Sequence, residues 1–133
     1  CNNHYARPLS IWGAYTARVG LRVDAWRGSL MLSPPFDSPY SGALIAAPFL
    51  AWLEWTPVDK GLSARLEMKD GAFELKRFGL THDAIGPHSV GTMKMEDRQV
   101  PADCDVEGNG VSFSLPEPLL LRPGSALTVE VRQ

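Results

Sequence analysis

The sequence predicts a mainly β protein, an antiparallel β-sandwich preceded by one N-terminal α-helix. Apolar residues recur at intervals of three and four between Pro8 and Gly20, which is helical spacing. Later runs alternate between apolar and polar residues, as strands with one buried face do. Turn residues separate these runs at short intervals, which favours a two-sheet sandwich or a barrel. We therefore expect an N-terminal segment with the helix in residues 1–27 and a β-sandwich domain in residues 28–133.

The N-terminal helix has recognisable start and stop signals. Pro8 suits a first helical position because its missing N–H costs nothing there, and Gly20 is expected to end the helix. Arg18 is the only charged residue between Leu9 and Leu21. A helix that is apolar on nearly all sides is usually buried. We therefore expect this helix to need neighbours that the chain itself does not supply.

The strands of the sandwich are predicted from one-sided alternation after VDAWRG (23–28), which is interpreted as a turn. The inward-facing residues are expected to be Leu30 and Leu32; Leu62, Ala64, Leu66 and Met68; Val111, Phe113 and Leu115; and Leu127, Val129 and Val131. In AFELKRFGL (72–80), Phe73 and Leu75 are out of phase with Phe78 and Leu80, and a β-bulge near Lys76–Arg77 would reconcile them.

The connections between the strands are also marked. Turn signals occur at Asp70-Gly71, at Gly108-Asn109-Gly110 and at Pro123-Gly124. The long irregular stretch SPPFDSPYSG (33–42) is expected to be a loop that crosses between the two sheets. These positions divide the second part of the chain into short strands.

Length and composition restrict the function classes. The chain has 133 residues, 44% hydrophobic and 21% charged, with a net charge of −2, and is one domain by length. It lacks the Lys/Arg runs that follow a phosphate backbone. Its longest apolar run, residues 43–53 with Pro48 inside, is too short to span a bilayer. We therefore expect neither a nucleic-acid partner nor a membrane span.

One segment resembles a known family. YARPLSIWGAY (5–15) is similar to the Tyr-x-Arg-Pro-Leu-Ala-Ile-Trp segment near the end of the catalytic barrel in glycoside hydrolases of the non-lysosomal glucosylceramidase/β-glucosidase class. The matching residues are Tyr5, Arg7, Pro8, Leu9, Ile11 and Trp12. The later segments GSLMLSPP (28–35), GLSARLEMKDGAFELKRFGL (61–80) and PLLLRPGSALTVEV (118–131) look like strands of the β-sandwich that follows the last barrel helix in bacterial members.

The resemblance implies that the chain is the C-terminal part of such a hydrolase, not catalytic by itself. Its helix would be the last helix of an (α/α)6 barrel. Its partner would be the upstream catalytic barrel, in the same precursor or as a separate chain. Family members are retaining β-glycosidases with two carboxyl groups about 5 Å apart. These carboxyl groups lie upstream of the matched segment, so no catalytic residue and no cofactor is assigned to this chain.

The resemblance also places the start of the chain near a sugar-binding pocket. The residues expected at its rim are Cys1, Asn3, His4 and Arg7. An Asn amide or a His ring can bond a sugar hydroxyl, and Arg can pair with a carboxylate. The structural alternative is that Arg7 forms an ion pair at the helix start and His4 is a loop residue. Cys1 is interpreted as a fragment boundary, with an N-terminal nucleophile or a lipidated cysteine as alternatives.

A second function is suggested by PFLAWLEWTP (48–57). Trp52 and Trp55 have opposite parity, so on a strand they cannot share a face. One is expected in the core, while the other is exposed, packs on the helix or is covered by the barrel. An exposed Trp can stack on a sugar ring, which would make the chain a self-contained carbohydrate-binding module. The strand pattern also leaves open a structural protein of an envelope or a phage.

The remaining candidate groups favour structural roles. Cys1 and Cys104 make no disulfide framework, which favours the bacterial cytoplasm, and Cys104 is expected to be a small core residue. His82 and His88 flank a Gly-Pro turn and are expected to be exposed. The three histidines and two cysteines lack metal-ligand spacing, so no metal site is predicted. The acidic residues Asp103, Asp105 and Glu107 lack the pattern of a calcium loop and are expected to point to solvent.

Overall fold

The structure is a computed structural model, and it describes residues 13–133. Residues 13–18 are helical, and the described part of the chain contains eleven strands. The mainly β fold predicted from the sequence is thus confirmed. The expected helix start at Pro8 and the expected rim residues Cys1, Asn3, His4 and Arg7 lie outside the described residues.

The strands follow one another with short connections. They are β1 (Arg22–Asp24), β2 (Ser29–Leu32), β3 (Tyr40–Ala46), β4 (Phe49–Val58), β5 (Gly61–Gly71), β6 (Phe73–Thr81), β7 (Val90–Met95), β8 (Arg98–Gln99), β9 (Asp103–Glu107), β10 (Gly110–Leu121) and β11 (Ala126–Arg132).

The strands form two sheets whose inner faces make the core. The first sheet has the order β1-β2-β6-β10-β9 and the second the order β3-β4-β5-β11-β7-β8. The pairings are antiparallel except between β2 and β6, which run parallel. Of the inward-facing residues predicted from alternation, all but Leu115 are fully buried, and Leu115 packs partly buried against the core.

The helix ends where the sequence predicts. Gly20 has a φ of 60°, a left-handed conformation that glycine adopts without strain. Its N–H donates to the Ala17 carbonyl at 3.1 Å, and the Leu21 N–H donates to the Thr16 carbonyl at 3.2 Å. This pair of hydrogen bonds is a Schellman motif. It turns the chain directly into β1, which pairs with β2, so the predicted turn is confined to residues 25–28.

The predicted bulge in β6 is present at Lys76–Arg77. The N–H groups of both residues donate to the Gly28 carbonyl, at 2.8 and 3.1 Å. Two residues thus oppose one on the neighbouring chain segment, which shifts the alternation by one position. As a result, the four apolar residues that were out of phase in the sequence are all buried: Phe73, Leu75, Phe78 and Leu80.

The predicted connections have the expected positions. Residues 33–39 carry the chain from β2 in the first sheet to β3 in the second, as predicted for the crossing loop. The loop is shorter than the predicted 33–42, because residues 40–42 belong to β3. Gly108 and Asn109 join β9 to β10. Asp70-Gly71 and Pro123-Gly124 lie where the chain passes between the sheets. No helix in residues 13–133 has the length and hydrophobicity needed to cross a membrane.

The prediction that Cys104 is a core residue is wrong, because its side chain is exposed. Cys104 pairs with Phe113, which points into the core, so the parity deduced from the sequence is correct. However, β9 is the edge strand of the first sheet and has a neighbouring strand on one side only. The acidic residues of β9 are exposed, as predicted.

Candidate functional site

The end of the helix meets the sandwich at a cluster that we call the junction. It consists of Tyr15, Arg18, Phe36, Tyr40, Trp55 and His82. The hydroxyl groups of Tyr15 and Tyr40 are hydrogen-bonded at 3.0 Å. The Arg18 guanidinium lies 5.6 Å from the centre of the Phe36 ring, in the range of a cation–π contact. These contacts tie the last helical turn to the crossing loop and to the start of β3.

Two aromatic side chains, Trp55 and His82, form hydrogen bonds to the backbone of the crossing loop. The Trp55 indole N–H donates to the Phe36 carbonyl at 3.1 Å, and Nε2 of His82 lies 3.1 Å from the same oxygen. The Ala84 N–H donates to Nδ1 of His82 at 3.1 Å. Because Nδ1 accepts a hydrogen bond, Nε2 carries the ring hydrogen and donates to Phe36. The two rings meet edge to face with centres 5.3 Å apart.

The prediction that His82 is exposed is wrong, since its exposed fraction is 9%. Strand β6 continues to Thr81, which places His82 beneath the crossing loop, where backbone groups satisfy both ring nitrogens. His88, on the other side of the Gly-Pro turn, is exposed as predicted. The two histidines of one short segment therefore have different roles.

Tyr40 is a hydrogen-bonding group and not a base. Burial is the largest cause that raises the pKa of Tyr40, and the hydrogen bond to Tyr15 adds to it, so that this pKa lies at about 12 even though the positive charge of Arg18 lowers it. Tyr40 is therefore neutral at physiological pH. Its hydroxyl group helps to fix the helix through the hydrogen bond to Tyr15.

A polar cleft of about 270 Å³ lies beside the junction, between the crossing loop and the end of β6. Asp37, at its edge, is 3.8 Å from Nε2 of His82, and Asn109 donates to Asp83 at 3.2 Å. Within residues 13–133, no three His, Cys, Asp or Glu side chains are grouped as metal ligands would be. The cleft therefore offers polar contacts to a ligand.

A second candidate site lies on the outer face of the second sheet. Alternation along β4 buries Trp55 completely and leaves Trp52 40% exposed. Trp55 is thus unavailable for sugar stacking, because its ring and its N–H are used inside the protein. Of the two tryptophans predicted as stacking candidates, Trp52 keeps that role. Trp52 on β4 pairs with Ala43 on β3, and Leu50 on β4 pairs with Ile45 on β3. We call these four outward-facing residues the platform.

A row of charged side chains borders the platform. Nη1 of Arg65 lies 3.5 Å from Glu54 and 3.3 Å from Glu67, and Lys69 contacts the other oxygen of Glu67. The hydrogen bond from Lys69 is the largest cause that lowers the pKa of Glu67. Such exposed ion pairs add little stability. The ion pairs instead fix carboxylate and guanidinium groups next to Trp52, because Glu67 is the residue that pairs with Trp52 on β5.

Sequence reasoning missed most of the junction. Phe36 and Tyr40 belong to the segment that was interpreted only as a crossing loop, and His82 was expected to be exposed. Two aromatic residues in a Pro- and Ser-rich loop were a signal that the loop packs against something. Neither a scan of protein-family models nor a search of curated proteins gives a match for this chain.

Proposed function

We propose that this chain is the C-terminal accessory part of a glycoside hydrolase of the glucosylceramidase/β-glucosidase class. In this proposal, the sandwich holds the last helix of the upstream catalytic barrel in position. The proposal rests on the resemblance of YARPLSIWGAY and on one structural observation. The helix is attached to the sandwich on one side, through Tyr15 and the buried Val19, while Ala14 and Ala17 are exposed.

The exposed side of the helix suits contact with another helix. Gly13, Ala14 and Ala17 are exposed. Among residues 13–133, apart from the chain neighbours of Gly13 and the backbone of its own helix, no atom lies within 4 Å of the place where a Cβ of Gly13 would be. Small residues allow two helices to approach closely, since the distance between helix axes depends on the side chains at the contact. The upstream barrel would supply that second helix and also the two catalytic carboxyl groups.

The role of the sandwich in this proposal is mechanical. Its junction binds the helix through a tyrosine pair and a cation–π contact. Trp55 and His82 fix the crossing loop through their hydrogen bonds to the Phe36 carbonyl. A barrel helix fixed in this way would keep the residues that precede it at the sugar pocket. The chemistry would belong entirely to the barrel.

The first test is the native mass of the protein purified from its source without a denaturing step, combined with an assay on an aryl β-glucoside. We expect the chain to occur within a longer polypeptide or with a companion chain, and that assembly to hydrolyse the glucoside. A chain of 133 residues that occurs alone, monodisperse and without a companion, would overturn the proposal.

A matched pair of variants tests the helix contact in the assembly. Ala17→Arg places a large charge on the exposed side of the helix, and Ala25→Arg makes the same change at the exposed turn after β1. We expect Ala17→Arg to lower the thermal midpoint or the glucosidase activity of the assembly, and Ala25→Arg to leave both unchanged. Equal behaviour of the two variants would show that the helix face is not a contact.

A further inference from the structure

We propose that the platform around Trp52, together with the groove next to it, binds a linear, neutral, β-1,4-linked polysaccharide. This site lies on the outer face of the second sheet, and its groove also borders Tyr40 and Trp55 of the junction. The inference does not rest on the proposed function. A ligand here must present a flat apolar face to the indole ring and hydroxyl groups to its surroundings. A pyranose ring with equatorial hydroxyl groups has that shape, because its C–H groups lie on its faces and its hydroxyl groups lie at its edge.

The apolar half of the site is formed by the platform. Trp52 is 40% exposed, Leu50 38% and Ile45 37%. The residue that pairs with Trp52 on β3 is only an alanine, so no large side chain stands next to the indole on that side. An exposed aromatic ring beside small and aliphatic residues provides a surface that is desolvated at low cost.

The polar half of the site follows the platform along β4, on the same outer face of the sheet. Glu54 lies two residues beyond Trp52, about 7 Å along the same face, and pairs with Ser41 on β3. A groove of about 280 Å³ begins there, and its lining consists of Pro39, Tyr40, Ser41, Glu54, Trp55 and Thr56. A chain whose first ring stacks on Trp52 therefore finds hydroxyl and carboxylate groups for its next ring. A β-1,4-linked glucan chain is extended and flat, so it can follow this path along the strand, whereas an α-1,4-linked glucan curves away from it.

The charges at the site favour an uncharged ligand. The two carboxylates, Glu54 and Glu67, are paired with Arg65 and Lys69, so the row has no net charge. A neutral hydroxyl group can join these ion pairs without breaking them, because carboxylates accept and guanidinium groups donate hydrogen bonds. A nucleic acid or an acidic polysaccharide would meet Glu54 and Glu67 without an excess of positive charge to compensate.

The test is calorimetric and fluorescence titration with cellohexaose, and with maltohexaose as the α-linked comparison. The variants are Trp52→Ala, Trp52→Phe and, as the matched control, Trp26→Ala, whose side chain is 97% exposed in the turn after β1. We expect cellohexaose to bind the native chain and the Trp26→Ala variant equally. Trp52→Ala should weaken binding about tenfold or more, Trp52→Phe should keep part of it, and maltohexaose should bind more weakly.

Several outcomes would overturn the inference. They are no response to cellohexaose, equal binding by Trp52→Ala, or loss of binding only in Trp26→Ala. Self-association that Trp52→Ala abolishes, without sugar binding, would assign the platform to a second copy of the chain. Far-ultraviolet circular dichroism of each variant controls for folding. Since the titration uses the chain without any companion, its result is independent of the native-mass test.

Discussion

Trp52 and Trp55 lie three residues apart on one strand, yet they belong to different surroundings. Trp55 points into the sandwich, is completely buried and donates its indole N–H to the Phe36 carbonyl. Trp52 points outward, is 40% exposed and lies beside small, aliphatic and charged side chains. The same residue type is therefore a structural anchor on one face of β4 and a candidate contact for a ligand on the other.

The difference shows that burial and hydrogen bonding, and not residue type, separate a structural aromatic residue from a candidate binding residue. A buried indole whose N–H has a partner lowers the free energy of the folded state and leaves nothing for a ligand. A half-exposed indole contributes less to folding and offers its face. If this division is correct, changes at the inner face lower stability strongly, whereas changes at the platform affect binding and leave stability nearly unchanged.

The largest effect is expected from Trp55→Ala. Loss of a fully buried indole leaves a cavity and lowers the free energy of unfolding by about 3–5 kcal/mol. This is a large fraction of the total for a domain, which is about 5–15 kcal/mol. Urea unfolding followed by circular dichroism measures it. Trp55→Phe retains an aromatic ring and should cost clearly less than Trp55→Ala. A cost below about 1 kcal/mol for Trp55→Ala would contradict the assignment of Trp55 as an anchor.

The second largest effect is expected from His82→Ala. Truncation removes the acceptor of the Ala84 N–H and one donor to the Phe36 carbonyl, and an unsatisfied buried group costs about 1–3 kcal/mol. His88→Ala is the matched control, because His88 lies in the same segment and is exposed. We expect it to change the free energy of unfolding by less than about 0.5 kcal/mol. Equal effects in urea unfolding would mean that His82 does not hold the crossing loop.

These residues also show what sequence patterns could and could not predict. Alternation predicted the strands, the bulge at Lys76–Arg77 and the opposite faces of the two tryptophans, because these depend on neighbours along the chain. The sequence also contained the signal for which tryptophan is outside, since Glu54 and Thr56 share the parity of Trp52. The burial of His82 was not predictable, because its partner Phe36 is 46 residues away.

The order of the strands within the sheets was likewise not predictable from local sequence patterns. The exposure of Cys104 follows from the edge position of β9, which no local pattern reveals. The platform likewise depends on the pairing of β3 with β4, which brings Ala43 beside Trp52. A candidate residue can thus be found from the sequence, whereas the site around it requires the structure.

A smaller effect with a distinct pH dependence is expected from Tyr40→Phe. Loss of the hydroxyl group removes the hydrogen bond to Tyr15 and costs about 1 kcal/mol at neutral pH. The folded protein raises the pKa of Tyr40 from 10.0 to about 12, so between these values the folded state keeps a proton that the unfolded state has lost. Stability from this group is therefore complete below pH 10 and falls as the pH rises toward 12.

Urea unfolding of the native protein and of Tyr40→Phe, at neutral pH and above pH 10, measures this dependence. The difference in free energy of unfolding between the two proteins should decrease as the pH rises, because the variant has no hydroxyl group to titrate at this position. A difference that stays constant up to pH 12 would mean that Tyr40 titrates alike in the folded and unfolded chain.

The smallest effect on stability is expected from Trp52→Ala. The variant lacks the indole that pairs across the strands with Ala43 and Glu67. Such cross-strand pairs contribute about 0.2–1 kcal/mol to stability. Urea unfolding of Trp52→Ala and of Trp55→Ala, under the same conditions, compares the two free energies of unfolding directly, since both variants remove an indole from the same strand. A cost near that of Trp55→Ala would make Trp52 a second structural anchor and remove the reason to regard the platform as a binding surface. A small cost together with loss of cellohexaose binding would separate the two faces of β4 by function.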